Sequence, residues 1–159
     1  MWNGVVNGRR GRRSGATETK AAILAAARRR FAGEGFHGAT IREIAHDAGV
    51  DAALLAHFFG GKAALFAAAV EVPVPAGDGP LLRLWEDPPQ REAALALLRS
   101  AATYPPAAAM LRDMLMAGEP AGRAAALRCS EALGLAMARH ILRLEPIASD
   151  SPEQLCGPR

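Results

Sequence analysis

Thr40, Arg42 and Lys62 are the side chains best suited to chemistry here, and that chemistry is recognition. A hydroxyl, a guanidinium and an ammonium near the starts of helix-forming segments are suited to phosphate. Helix N-termini already favour anions through their unpaired amides. Lys62 stands at such a start, and a phosphate contact is its expected role. Thr40 is expected first to cap its helix and then to present its hydroxyl and amide to a phosphate. Arg42 projects from the same helix, as a phosphate ligand or a solvated surface arginine. His57 either reaches a phosphate or packs at a helix end. No Ser–His–acid or paired-carboxylate arrangement stands out, and His37, His46, His57 and His140 show no metal-ligand spacing. An enzymatic reading has no residues to rest on, and no cofactor or metal is expected.

These side chains bracket a two-helix unit. Counting Ile41 as position one, Ala45 is fifth, Gly49 ninth, Val50 tenth and Leu55 fifteenth. Ala45 is small where the second helix crosses. Gly49 can take the left-handed conformation that the tight turn requires. Ile44, Val50 and Leu55 fill the space between the helices. This is helix-turn-helix spacing, in which the second helix enters the DNA major groove. Its tip, "DAALLAH", is poor in donors. Ala52, Ala53 and Leu54 offer at most apolar contact with a thymine methyl. Asp51 either caps the helix or accepts from cytosine N4. The candidate DNA-contacting set is Thr40, Ile41, Arg42, Asp51, Ala52, Ala53, Leu54, His57 and Lys62, with Arg12 and Arg13 from the N-terminus.

The elements that must hold this set can be read from periodicity. Residues 1–16 lack it and read as a flexible basic arm. Thr17 is placed to cap a helix to about Glu34, with Ile23, Leu24, Ala27 and Phe31 on its apolar face and Gly35 as its stop. Thr40-Ile41-Arg42-Glu43 spells a capping box, opening a helix to Asp47. Asp51 opens the next, to about His57. Gly60-Gly61 breaks it, and Lys62 starts another carrying Leu65, Phe66 and Val70. The domains are then the arm, a DNA-binding domain over 17–71, and a C-terminal domain over 72–159.

"VPVPAGDGP", residues 72–80, marks a linker. Asp87-Pro88 caps a helix to about Thr103. Pro105-Pro106 begins one with Met110, Leu111, Met114 and Leu115 on one face. After Gly118-Glu119-Pro120, a single long helix is expected over about 121–144, with Leu133, Met137, Ile141 and Leu144 as its stripe. Trp85, Tyr104, Met110, Met114 and Met137 are candidates to line a ligand pocket, since methionine adapts to varied shapes. Ordinary core is the alternative for each.

Composition fits an all-α protein: 50% of the 159 residues are hydrophobic, only 5% are aromatic, and alanine dominates. The net charge of +3 is uneven. Residues 1–30 hold eight lysines and arginines against one acid, Glu18, so a basic end precedes a mildly acidic body. It either meets a polyanion or only aids solubility. Cys129 and Cys156 make no disulfide framework, which fits a reducing, cytoplasmic setting. No apolar run approaches the roughly 20 residues of a membrane span, and with no apolar stretch after the N-terminal arginines no secretory signal is expected.

The stretch "FAGEGFHGATIREIAHDAGVDAALLAHFFGGKAALF", residues 31–66, resembles the tetracycline-repressor (TetR) family of bacterial transcription regulators. "LWEDPPQREAALALLRSAAT" and "LGLAMARHILRLEPIASDSPEQL" resemble parts of an actinobacterial-type regulatory domain of that family. The resemblance implies a three-helix DNA-binding head with a linking helix, followed by an antiparallel helical bundle. It also implies a homodimer joined through C-terminal helices, a palindromic operator in double-stranded DNA, and a small apolar inducer that releases it. There are departures: Asp51 stands where Ser or Thr is usual, Ala56 where Tyr is usual, and Gly61 where Ser is usual. The C-terminal domain is expected to be shortened around 72–80, around 117–122 and after Leu155. The alternative to a ligand-responsive repressor is a helical interaction module, or a constitutive regulator without a working pocket.

Overall fold

The computed structural model describes residues 10–71, 85–116, 122–151 and 154, with side chains from Gly15 onward. Seven α-helices and no strand occur among them: α1 Arg10–Gly38, α2 Ile41–Asp47, α3 Ala52–Phe59, α4 Lys62–Val70, α5 Pro88–Ala101, α6 Pro105–Met116 and α7 Arg123–Ala136. A π-helical turn, Met137–Leu142, continues α7. The 72–80 linker and the 118–120 break lie outside the described residues.

Helix α1 is the spine, packing along α5, α4 and α2. Its predicted stripe is inside: Ile23, Ala27 and Phe31 are fully buried, and Leu24 is half-buried. Phe66, Ile44, Leu55, Leu65 and Leu97 complete the core with them. Ala26, Ala69, Ala93, Ala94, Ala96 and Ala107 are also buried. Side chains this small let helix axes come close, so a core poor in aromatics still packs densely. Fully burying each large apolar side chain contributes about 1.5–3 kcal/mol.

Three boundaries correct the sequence reading. Helix α1 begins at Arg10, so Thr17 lies inside it and is no N-cap. The turn there is closed by Thr19, whose hydroxyl donates to the Gly15 carbonyl at 2.7 Å. Gly35 breaks α1 as expected (φ 71°, ψ 179°), a region essentially reserved for glycine. Yet helical backbone resumes to Gly38, with the Ala39 amide reaching the Gly35 carbonyl at 3.3 Å. The expected single helix over 121–144 is α only to Ala136. In the π turn each bond spans one more residue, which rotates the stripe out of phase. Arg143 then takes a left-handed conformation (φ 52°) and ends the helix, leaving Leu144 beyond it.

Candidate nucleic-acid interface

The two-helix unit folds as its spacing requires. Ile44, Ala45 and Leu55 are buried where α2 meets α3, with Val50 packed against them. Gly49 makes the turn at φ 68°, and the Val50 amide donates to the Ala45 carbonyl at 3.0 Å. Asp51 caps α3, its Oδ1 accepting from the Ala53 amide at 2.7 Å. Ala53, Leu54, Ala56 and His57 are all exposed, and Ala52 is half-buried. Leu54 leaves 39% of its surface open.

The Thr40 capping box is complete. The Thr40 hydroxyl accepts from the Glu43 amide at 3.2 Å, and the Glu43 carboxylate accepts from the Thr40 amide at 3.1 Å. The hydroxyl also donates to Glu43 Oε2 at 2.6 Å. Both donors of Thr40 are therefore engaged by a carboxylate in this state, and those bonds hold the Glu43 pKa below the usual range. The amides of Ile41 and Arg42, at the first turn, are the donors that helix geometry leaves over. Arg42 is exposed and Ile41 half-buried.

Lys62 does stand at the first position of α4, but it is no loose cation. Its Nζ donates to the His37 carbonyl at 3.3 Å and lies 4.9 Å from the centre of the Phe36 ring. Arg12 and Arg13 fall in the first turns of α1. The flexible arm expected over 1–16 is thus helix over 10–16, while residues 1–9 lie outside the described residues.

Two contacts tie α2 and α4 to α1, and nothing in the sequence pairs their partners. Arg30 of α1 donates to Asp47 at the end of α2 and to Glu34. This holds the Asp47 pKa below the usual range. Arg28 donates from Nε to the Ala69 carbonyl of α4 at 2.9 Å. Only the Arg30–Glu34 spacing, one helical turn, was readable in advance.

None of the five pocket candidates is among the residues that line the cleft described below. Trp85 is buried and stacks on His140 at 5.4 Å. Tyr104 stacks on Phe36 of α1 at 3.7 Å. Met114 is core, Met110 half-buried and Met137 37% exposed. An open apolar cleft of about 290 Å³ lies instead along the end of α5, α6 and α7, lined by Leu111, Arg112, Leu115, Met116 and Cys129 with Ala101, Ala108 and Ala126. Cys129 donates its thiol to the Leu115 carbonyl at 3.0 Å. Among the described residues no group of His, Cys, Asp and Glu could hold a metal, and no single helix is long and apolar enough to cross a membrane.

Residues 23–69, from α1 to α4, match the family described as bacterial regulatory proteins, tetR family. Residues 80–157 match the tetracyclin repressor-like C-terminal domain. A comparison with curated proteins gave no match. Among solved structures, a TetR-family regulator from Streptomyces coelicolor A3 is similar at 32% identity and a TM-score of 0.52. The similarity covers 94% of this chain and 92% of that one. With a matching head, a matching regulatory half and a relative alike along nearly its whole length, the chain belongs to the TetR family of DNA-binding transcription regulators.

Proposed function

We propose that this regulator is a ligand-responsive repressor that binds a palindromic operator as a homodimer. The carrying observation is the exposed face of α3, Ala53, Leu54, Ala56 and His57, presented on a capped two-helix unit. An alanine-lined helix can lie close against the groove. Affinity then comes from phosphate contacts by the first turn of α2 with Arg42, by Lys62, and by Arg12 and Arg13 at the start of α1. Base preference comes from a few apolar contacts, from DNA shape and from the spacing of two heads.

The second subunit is supplied through the C-terminal helices. Leu127 and Leu142 are 60% and 59% exposed there, which favours a covering partner. The cleft between α6 and α7 is the place for a small apolar inducer. Bound ligand favours a form whose heads no longer match the half-sites, and the operator is released. The bound dimer acts sterically, in the cytoplasm, by blocking polymerase.

Light scattering on the purified protein and footprinting on the DNA upstream of its own gene test this together. A dimer protecting a two-fold site, released by a hydrophobic compound, is the expected result. A strict monomer would count against an operator-spanning repressor. A dimer whose footprint no compound disturbs would make it a constitutive regulator.

A further inference from the structure

We propose that Tyr104, in the regulatory half, is a positioning residue for Lys62 in the DNA-binding head. The inference rests on the reading of Lys62 as a phosphate contact. The corner between α5 and α6 grips two consecutive residues of α1. Ser100 Oγ accepts from the Phe36 amide at 2.9 Å, and the Thr103 carbonyl lies 3.1 Å from His37 Nε2. Tyr104 stacks on the Phe36 ring with centroids 3.7 Å apart and planes within 4° of parallel. Phe66 braces both rings edge-on, at 5.4 Å from Phe36 and 5.7 Å from Tyr104.

The same two residues hold Lys62. The His37 carbonyl accepts from its Nζ, and the Phe36 ring lies beneath the ammonium. A lysine is a point charge on a flexible stem with three donors. One donor goes to His37, which leaves two for a phosphate at the start of α4. Where those two point depends on where Phe36 and His37 are, and that is fixed by the α5–α6 corner. Ala101 and Ala108, on either side of Tyr104 in the chain, line the apolar cleft. One short segment therefore touches both the cleft and the support of the candidate phosphate ligand.

The test is the salt dependence of binding to a labelled duplex of mixed sequence, with thermal melts of each variant. Lys62→Met should lower the slope of log K against log salt by about one unit, the value of one phosphate contact. Tyr104→Leu should lower it equally, the double variant no further, and Tyr104→Phe should keep the full slope. Tyr104→Met serves where Tyr104→Leu melts below the assay temperature. A full slope in Tyr104→Leu beside a lowered one in Lys62→Met overturns the positioning role and leaves the phosphate contact standing. Additive losses in the double variant also overturn it. An unchanged slope in Lys62→Met overturns the phosphate contact, and the inference with it.

Discussion

Arg30 and Asp47 meet side-on: Nε and Nη2 of the guanidinium donate to the two carboxylate oxygens at 2.6 and 3.1 Å. The pair joins the middle of α1 to the end of α2, and so fixes the first helix of the DNA-reading unit on its spine. Asp47 is held ionised first by its hydrogen bond to Arg30, and Glu43 by its bonds to Thr40. Both folded pKa values lie below the usual 3.8 and 4.5. Their stabilisation is therefore complete above those values and is lost as pH falls through the folded ones. Asp47→Asn should melt lower than the parent at neutral pH, and the gap should close in acid. Parallel melts across that range check it, and a gap independent of pH would remove the ion pair as the cause.

Gly35 occupies a backbone region that a side chain enters only under strain. An added Cβ would find space, with the nearest atom, the Arg99 carbonyl oxygen, at 3.6 Å. The cost of Gly35→Ala is thus conformational, about 1–3 kcal/mol. Urea denaturation measures it, and an unchanged midpoint would contradict it.

Ser100 is fully buried and makes two bonds, accepting from Phe36 N and donating to the Ala96 carbonyl at 2.6 Å. Ser100→Ala leaves the Phe36 amide unpaired. We expect a loss of about 1–3 kcal/mol and faster exchange of the Phe36 amide in hydrogen-exchange NMR. Unaltered exchange at that amide would mean that the serine is only a space-filler.

His140 stacks on Trp85, and its Nε2 is buried without a partner among the described residues. Burial, then Arg91 and Arg139, push its pKa below the usual 6.5, with Glu86 opposing. Stability is full above 6.5 and falls as pH drops from there through the lowered folded value. His140→Phe should keep the ring contact and abolish that fall. Melts followed by fluorescence, with Trp85→Phe identifying the reporting tryptophan, decide it. An identical fall in His140→Phe would assign the effect elsewhere.

Leu54→Asn should alter preference at one or two operator positions while moving stability by no more than about 0.5 kcal/mol. Selection of binding sites from a randomised duplex pool, beside a melt, reads both. An unchanged preference would move base contact off this residue.

What the sequence made legible was local. The Thr40 and Asp87 caps, the Gly49 turn and the stripe from Ile23 to Phe31 each depend on neighbours within a turn or two, and each stands as read. The start of α1 was not legible, because glycine and serine near Arg12 lower helix propensity. The fate of Tyr104 was not legible either. Its partner, Phe36, is far away in sequence, and only the packing of α5 along α1 brings the rings together. The lining of the α5–α7 cleft was not legible for the same reason: helical faces were readable, but the rotation of each helix about its axis was not.

In α3 only Leu55 is fully sequestered, while Ala53, Leu54, Ala56 and His57 face outward with no role in the core. On the function proposed above, selection on folding and selection on DNA preference act on different letters of one short helix. Such a surface can be rewritten a residue at a time without passing through unfolded intermediates. The near-blank "AALLAH" is in that sense a starting point for evolving, or engineering, new operator preferences on an unchanged scaffold.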